Sequence, residues 1–195
     1  MKIRAGRFLF LVGTVVVLAA CNRTSDSSGQ QPQTHVLQCE NAAPVTFRRE
    51  GDAGWLFADK TVKTTYDDGL FIGEGYRLRL DKDVATLNDQ TCQYDPAAAQ
   101  WEHAKLNGAD LRAVGNEPPW ILELYSDKLV LWRGYDKKRI EQPIVKHGLS
   151  YLSKDYTVKL SLGPCQDSMS VEEFDTRVQL LSEQETLQGC GRPLH

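Results

Sequence analysis

Five cysteines, four histidines and a few paired carboxylates are the side chains of this 195-residue chain with the most chemistry to offer. His35, His103, His147 and His195 stand in unrelated contexts, and His195 is the last residue. A hydrolase needs a nucleophile beside its base, or two placed carboxylates, and the chain has no Gly-x-Ser-x-Gly elbow. Asp67-Asp68 and Glu172-Glu173 are neighbours in sequence, so their side chains diverge on a strand or a helix. The cysteines fit no zinc motif, since there is no Cys-x₂-Cys and no His pair at i, i+4. These residues read as a binding protein with no catalytic residue, no metal site and no cofactor. An enzyme is the least favoured class.

One cysteine stands apart from the other four. Cys21 follows a basic stretch with Lys2, Arg4 and Arg7, an apolar run over 8–17, and Leu18-Ala19-Ala20. This is the pattern of a secretory signal, and the apolar run is shorter than the roughly 20 residues a spanning helix needs. Leu-Ala-Ala-Cys resembles the lipobox of bacterial lipoproteins. The resemblance implies a signal peptide over 1–20, cleavage before Cys21, diacylation of its sulfur and acylation of the freed amine. One acyl chain holds a protein only marginally, whereas two or three make a stable anchor. Asn22, where aspartate would mark inner-membrane retention, is similar to lipoproteins sorted to the outer membrane, with the body in the periplasm or at the cell surface. The polar stretch from Asn22 to Thr34 reads as a flexible tether, so 21–34 is expected to be lipidated linker.

Loss of 1–20 removes three positive charges and moves the formal net charge from −3 to −6. An acidic chain is a poor partner for nucleic acid, whose binding rests on neutralising phosphates. The remaining cysteines, Cys39, Cys92, Cys165 and Cys190, are even in number in an oxidising compartment, and three pairings are open. Cys39–Cys92 with Cys165–Cys190 is preferred because it keeps each bridge inside one half of the chain.

The elements that carry these residues are strands. Apolar and polar residues alternate in short runs broken by Gly, Asp, Asn and Pro, the period of half-buried β-structure. Tyr76, Leu78 and Leu80 share one face against Arg77 and Arg79, as do Val158, Leu160 and Leu162, and Trp120, Leu122 and Leu124. Further strands are expected over 35–39, 44–49, 54–58, 84–88, 91–94, 128–133, 177–182 and 185–190. Short helices are possible over 95–105 and 168–174. The fold class is all-β, as two small antiparallel domains each closed by a disulfide. Asp95-Pro96-Ala97-Ala98-Ala99-Gln100 is the best internal boundary, giving domains over 35–98 and 104–195. A single sandwich or barrel of about 160 residues is the alternative.

Residues 37–94 are similar to the membrane-bound c-type lysozyme inhibitor family, small bacterial lipoproteins folded as compact β-barrels. The matching residues are Leu37-Gln38-Cys39, Val45-Thr46-Phe47, the Asp68-Gly69 turn, and Asp81-Lys82-Asp83-Val84-Ala85-Thr86-Leu87 followed by Cys92-Gln93-Tyr94. The resemblance implies a barrel that binds c-type lysozyme and inserts a loop into its cleft, where one carboxylate is raised in pKa and the other ionised. The family uses a Ser-Gly loop and a Lys-Gly element. Here Asp68 stands before Gly69 in place of serine, and Lys82 is followed by Asp83 in place of glycine. Both positions also have simpler readings, as a plain turn and as a solvated lysine.

The second half resembles a little-characterised family of bacterial envelope lipoprotein domains. The residues that carry this are Ala113-Val114-Gly115-Asn116-Glu117-Pro118-Pro119-Trp120, Pro164-Cys165-Gln166-Asp167-Ser168-Met169-Ser170, and Leu187-Gln188-Gly189-Cys190. The resemblance implies an envelope role and supplies no chemistry. Gly115 to Pro119 reads as a tight entry to a strand with Trp120 in the core, and Gln166 to Ser170 as helix-capping residues. Lys137-Lys138-Arg139 could touch anionic lipid or a wall-associated polymer, although a solvated turn is the simpler reading. Trp55, Trp101 and Trp132 could anchor a partner or a sugar, although strand tryptophans usually face a core. The expected function is lysozyme inhibition at the envelope. The alternative is a lipoprotein that binds another envelope protein or a glycan without inhibiting anything.

Overall fold

Among the described residues, most of the short strands pair with a sequence neighbour. The computed structural model describes residues 31–166 and 172–195. The signal residues, Cys21 and most of the tether lie outside that range, as do Asp167, Ser168, Met169 and Ser170.

The first half is an up-and-down barrel of β1 (Gln33–Cys39), β2 (Val45–Glu50), β3 (Ala53–Phe57), β4 (Thr61–Asp67), β5 (Leu70–Gly73), β6 (Tyr76–Leu80), β7 (Val84–Leu87) and β8 (Gln90–Tyr94). It closes where β8 returns to β1 through Leu37↔Tyr94, Gln38↔Gln93 and Cys39↔Cys92. The Cys39–Cys92 disulfide therefore joins two register partners at the closing seam. Leu37, Phe47, Leu56, Phe71 and Leu78 fill the interior, with the Phe47 and Phe71 rings 4.9 Å apart. Between β4 and β5, Asp68 (φ 43°) and Gly69 (φ 84°) form a two-residue loop with both φ values positive. That geometry matches the twist of the flanking strands and is the tight hairpin a Asp-Gly pair favours.

Helix α1 (Pro96–Leu106) occupies the segment read as the internal boundary. Asp95 caps it by accepting from the Ala98 N–H at 2.9 Å, and Pro96 fits the first turn, where its missing N–H costs nothing. The helix packs against β1 and against the first strand of the second half.

That second half is a nine-stranded meander of β9 (Leu111–Asn116), β10 (Pro119–Leu124), β11 (Lys128–Arg133), β12 (Lys138–Pro143), β13 (Val145–His147), β14 (Ser150–Leu152), β15 (Thr157–Gln166), β16 (Glu173–Leu181) and β17 (Thr186–Pro193). Its last strand pairs with its first, and the sheet is open between β12 and β13. It is thus a barrel parted along one seam. Leu122, Leu124, Leu129, Leu131, Val158, Val178 and Leu180 form its core. Cys165–Cys190 ties β15 to β17, which are not neighbours in the sheet. The fold is all-β, with two antiparallel halves and one disulfide in each.

Some details differ from the sequence expectations. β1 begins at Gln33, two residues into the stretch read as tether. Leu162 was expected to share a buried face with Val158, yet it is 72% exposed. The register of β15 against β16 shifts between Leu162 and Cys165, which ends the inward alternation there. Of the helix expected over 168–174, Glu173 and Phe174 belong instead to β16, where Phe174 pairs with Cys165. The part over 168–171 lies outside the described residues.

Candidate functional site

In an up-and-down barrel alternate connections emerge at the same end. The Asp68-Gly69 hairpin and the Asp81-Lys82-Asp83 connection between β6 and β7 are such a pair. Two strand spacings separate them, about 10 Å along the rim. Asp68, Gly69 and Lys82 are exposed, so the described structure brings all three sequence candidates to one accessible edge. The Asp68 and Lys82 side chains make no hydrogen bond among the described residues. Gly69 has open space where a side chain would be, and its positive φ, not crowding, is what favours glycine.

The same rim forms one wall of a cleft of about 1200 Å³. Lys82, His35 and Arg49 come from the barrel, Gln100 and His103 from α1, and the outward side chains of β10, β11 and β12 form the floor. Ile121, Trp132 and Arg139 stand side by side across that floor, because Trp132 is the register partner of both others. Trp132 is only half-buried, and Trp55 and Trp101 are likewise half-buried.

A polar network lies beneath the floor. Arg112 on β9 and Glu123 on β10 are register partners, form an ion pair, and are 7% and 5% exposed. Tyr125 donates its hydroxyl to Glu123 Oε2 at 2.8 Å, and Arg112 Nη2 donates to Gln100 Oε1 at 3.3 Å. Burial and the Glu123 carboxylate together push the Tyr125 phenol far above its ordinary range. Arg112 Nε is buried without a hydrogen-bond partner. The guanidinium sits 5.6 Å from the Trp101 ring, which Arg192 also covers at 4.7 Å.

His103 links helix to barrel. Its Nδ1 lies 3.0 Å from Thr34 Oγ1 and its Nε2 lies 2.9 Å from Asn107 Nδ2. Burial holds its pKa below the ordinary value, and the Arg48 charge lowers it further. Burial and then Arg49 do the same to His35.

None of Arg112, Glu123, Tyr125 or His103 was singled out from sequence as a site residue. One signal was available. Arg112 and Glu123 are opposite charges equally distant from the Glu117-Pro118 turn, which is where hairpin partners must fall.

The second-half motifs converge as well. The Trp120 ring packs onto Gly115 and Gly189, where added Cβ atoms would come within 2.2 and 2.5 Å of it. Trp120 is 2% exposed, in the core as expected. Asn116, Glu117, Gln166 and Gln188 line a hollow of about 660 Å³ beside the Cys165–Cys190 bridge. The Gly115–Pro119 segment forms the β9–β10 turn, with a cis Glu117–Pro118 peptide.

Among the described residues no three His, Cys, Asp or Glu side chains converge as a metal site requires. No described helix is long and apolar enough to cross a membrane. Comparisons with protein families, curated protein sequences and solved structures find no match for this chain.

Proposed function

We propose that this protein is an envelope lipoprotein, held in the outer membrane by lipid on Cys21, whose first barrel binds c-type lysozyme and blocks its cleft. One observation carries the reading: the Asp68-Gly69 hairpin and the Lys82 connection project from the same barrel end, about 10 Å apart along the rim. A barrel closed by a disulfide at its seam can offer two short loops to one concave partner without the ordering cost a flexible loop would incur. Lys82 supplies the positive charge that a cleft with two carboxylates attracts. Asp68 supplies a hydrogen-bonding side chain in the position where the similar family carries serine.

The test is a cell-wall lysis assay with c-type lysozyme and purified protein. Inhibition that weakens on Lys82→Ala is the expected result. Undiminished lysis at large molar excess would count against the reading and leave an envelope-binding role without inhibition. Mass spectrometry of the native protein tests the anchor, since Cys21→Ser removes the acylated residue.

A further inference from the structure

The cleft beside the barrel rim is opposite in sign to the chain that contains it. Among the described residues six cations line it against three carboxylates, whereas the whole chain carries −3. Two of those carboxylates are already engaged, Glu123 by Arg112 and Tyr125, and Asp95 by the start of α1. Lys128 and Arg139 both reach Glu141, so one carboxylate is shared between two cations at the cleft edge. Lys137, at the turn into β12 with φ 51°, adds an exposed charge on the same side.

Charge alone would describe any basic patch, but this one is concave and carries aromatic rings. Tyr94, Tyr125 and Trp132 line it from three different strands or strand ends. At about 1200 Å³ it exceeds the roughly 300–1,000 Å³ of a small-molecule pocket. Beneath it, Arg112 is more than nine-tenths buried and its Nε–H has no partner, and the half-buried His35 likewise has an unpartnered Nε2. Both atoms are closed off from the cleft surface, so the contacts open to a ligand are the exposed cations and the rings.

We propose that this cleft binds an acidic saccharide chain, a uronate-type oligosaccharide, with rings against Trp132 and Tyr94 and carboxylates against Lys137, Arg139 and Lys128. Sugar rings offer apolar faces to aromatic side chains, and their hydroxyls and carboxylates match the donors of the lining. A bilayer surface, being flat, meets only the rim and leaves the floor unused. The proposal goes beyond lysozyme inhibition and does not rest on it.

Calorimetric titration of the purified protein with hexagalacturonate tests this, alongside cellohexaose, oligothymidylate and phosphatidylglycerol vesicles. Binding of the uronate is expected, weakening as salt rises from about 20 to 300 mM, with cellohexaose at least about tenfold weaker. Lys137→Glu/Arg139→Glu is expected to weaken it about tenfold or more while the thermal midpoint stays within a few degrees. Trp132→Ala is expected to weaken it severalfold with the salt dependence retained. Absence of uronate binding, equal binding by the charge-reversed variant, or binding of only the nucleic acid or the vesicles overturns the proposal. Asp68 and Lys82 are untouched in these variants, so the lysis assay reads the inhibitor proposal separately.

Discussion

Arg112 and Glu123 face each other across the β9–β10 hairpin as a paired charge almost wholly removed from water. Two buried ions repay their desolvation only when each keeps its partner and its hydrogen bonds. Glu123→Leu therefore leaves a buried guanidinium whose remaining partners are the Gln100 carbonyl and the Trp101 ring. The expected loss is about 3 kcal/mol or more in urea unfolding. A hydrophobic pair at both positions, Arg112→Met with Glu123→Leu, should recover most of it. A double variant as unstable as the single one would show that the hairpin needs the charges themselves.

The two buried-side histidines give stability a pH dependence. For His103 and His35 the folded pKa lies below the ordinary 6.5, so the folded state binds fewer protons than the unfolded chain just below that value. Their contribution is complete above about pH 6.5 and is lost as pH falls through the lowered folded values. A neutral His103 ring with its proton on Nδ1 can donate to Thr34 Oγ1 and accept from Asn107 Nδ2, an arrangement that protonation of Nε2 breaks. The urea midpoint should fall between about pH 7.5 and pH 5.0, and His103→Gln should reduce that fall. An identical fall in the variant would place the titration elsewhere.

Gly189 is fixed by close approach. A Cβ there would lie 2.1 Å from the Val114 carbonyl oxygen and 2.5 Å from the Trp120 ring. Backbone cannot swing aside as a long side chain can, so Gly189→Ala should cost about 3 kcal/mol or more. Gly148→Ala is the contrast, with nothing within 4 Å but a φ of +60°, and only the backbone conformation is taxed, by about 1 kcal/mol. Thermal unfolding of the two variants separates crowding from backbone preference.

The signals that were legible are those set by burial on one side. Leu78, Leu122 and Val158 all point inward on strands whose alternation marks them plainly. The strands over 61–67 and 111–116 escaped for two different reasons. β4 buries Thr64 as an inward residue, so its polar and apolar positions do not sort cleanly. β9 is covered on both faces, by the core and by the network under the cleft, and shows no alternation. β12 to β14 escaped because most of their residues are exposed. Asp68, Gly69 and Lys82 were named through a family resemblance, and the fold places them in two connections at one barrel end. The cleft was not legible, because its walls come from the barrel, the helix and the second sheet, and only the fold brings them together.

Each disulfide constrains a long loop of the unfolded chain. The separations are 53 residues for Cys39–Cys92 and 25 for Cys165–Cys190. Chain-entropy arguments assign each about 3 to 4 kcal/mol. The two double variants, Cys39→Ala/Cys92→Ala and Cys165→Ala/Cys190→Ala, should each lower the thermal midpoint by roughly 6–16 °C. The first releases the barrel seam and should also abolish lysozyme inhibition if the rim must be rigid. The second should leave inhibition in place at temperatures where the protein remains folded.

The proposed contact with lysozyme turns most sharply on Asp68. At φ 43° it occupies the left-handed region that Asp and Asn both tolerate, so Asp68→Asn preserves the hairpin. What changes is charge. An aspartate brought near an ionised catalytic carboxylate is repelled, at a cost that reaches several kcal/mol when desolvated. Asparagine offers a comparable hydrogen-bonding side chain without that repulsion. If Asp68 enters the cleft, Asp68→Asn should lower the inhibition constant about tenfold or more, a gain of about 1.4 kcal/mol. An inhibition constant unchanged by Asp68→Asn, together with one raised by Lys82→Ala, would assign the contact to Lys82 alone and leave the hairpin as a turn.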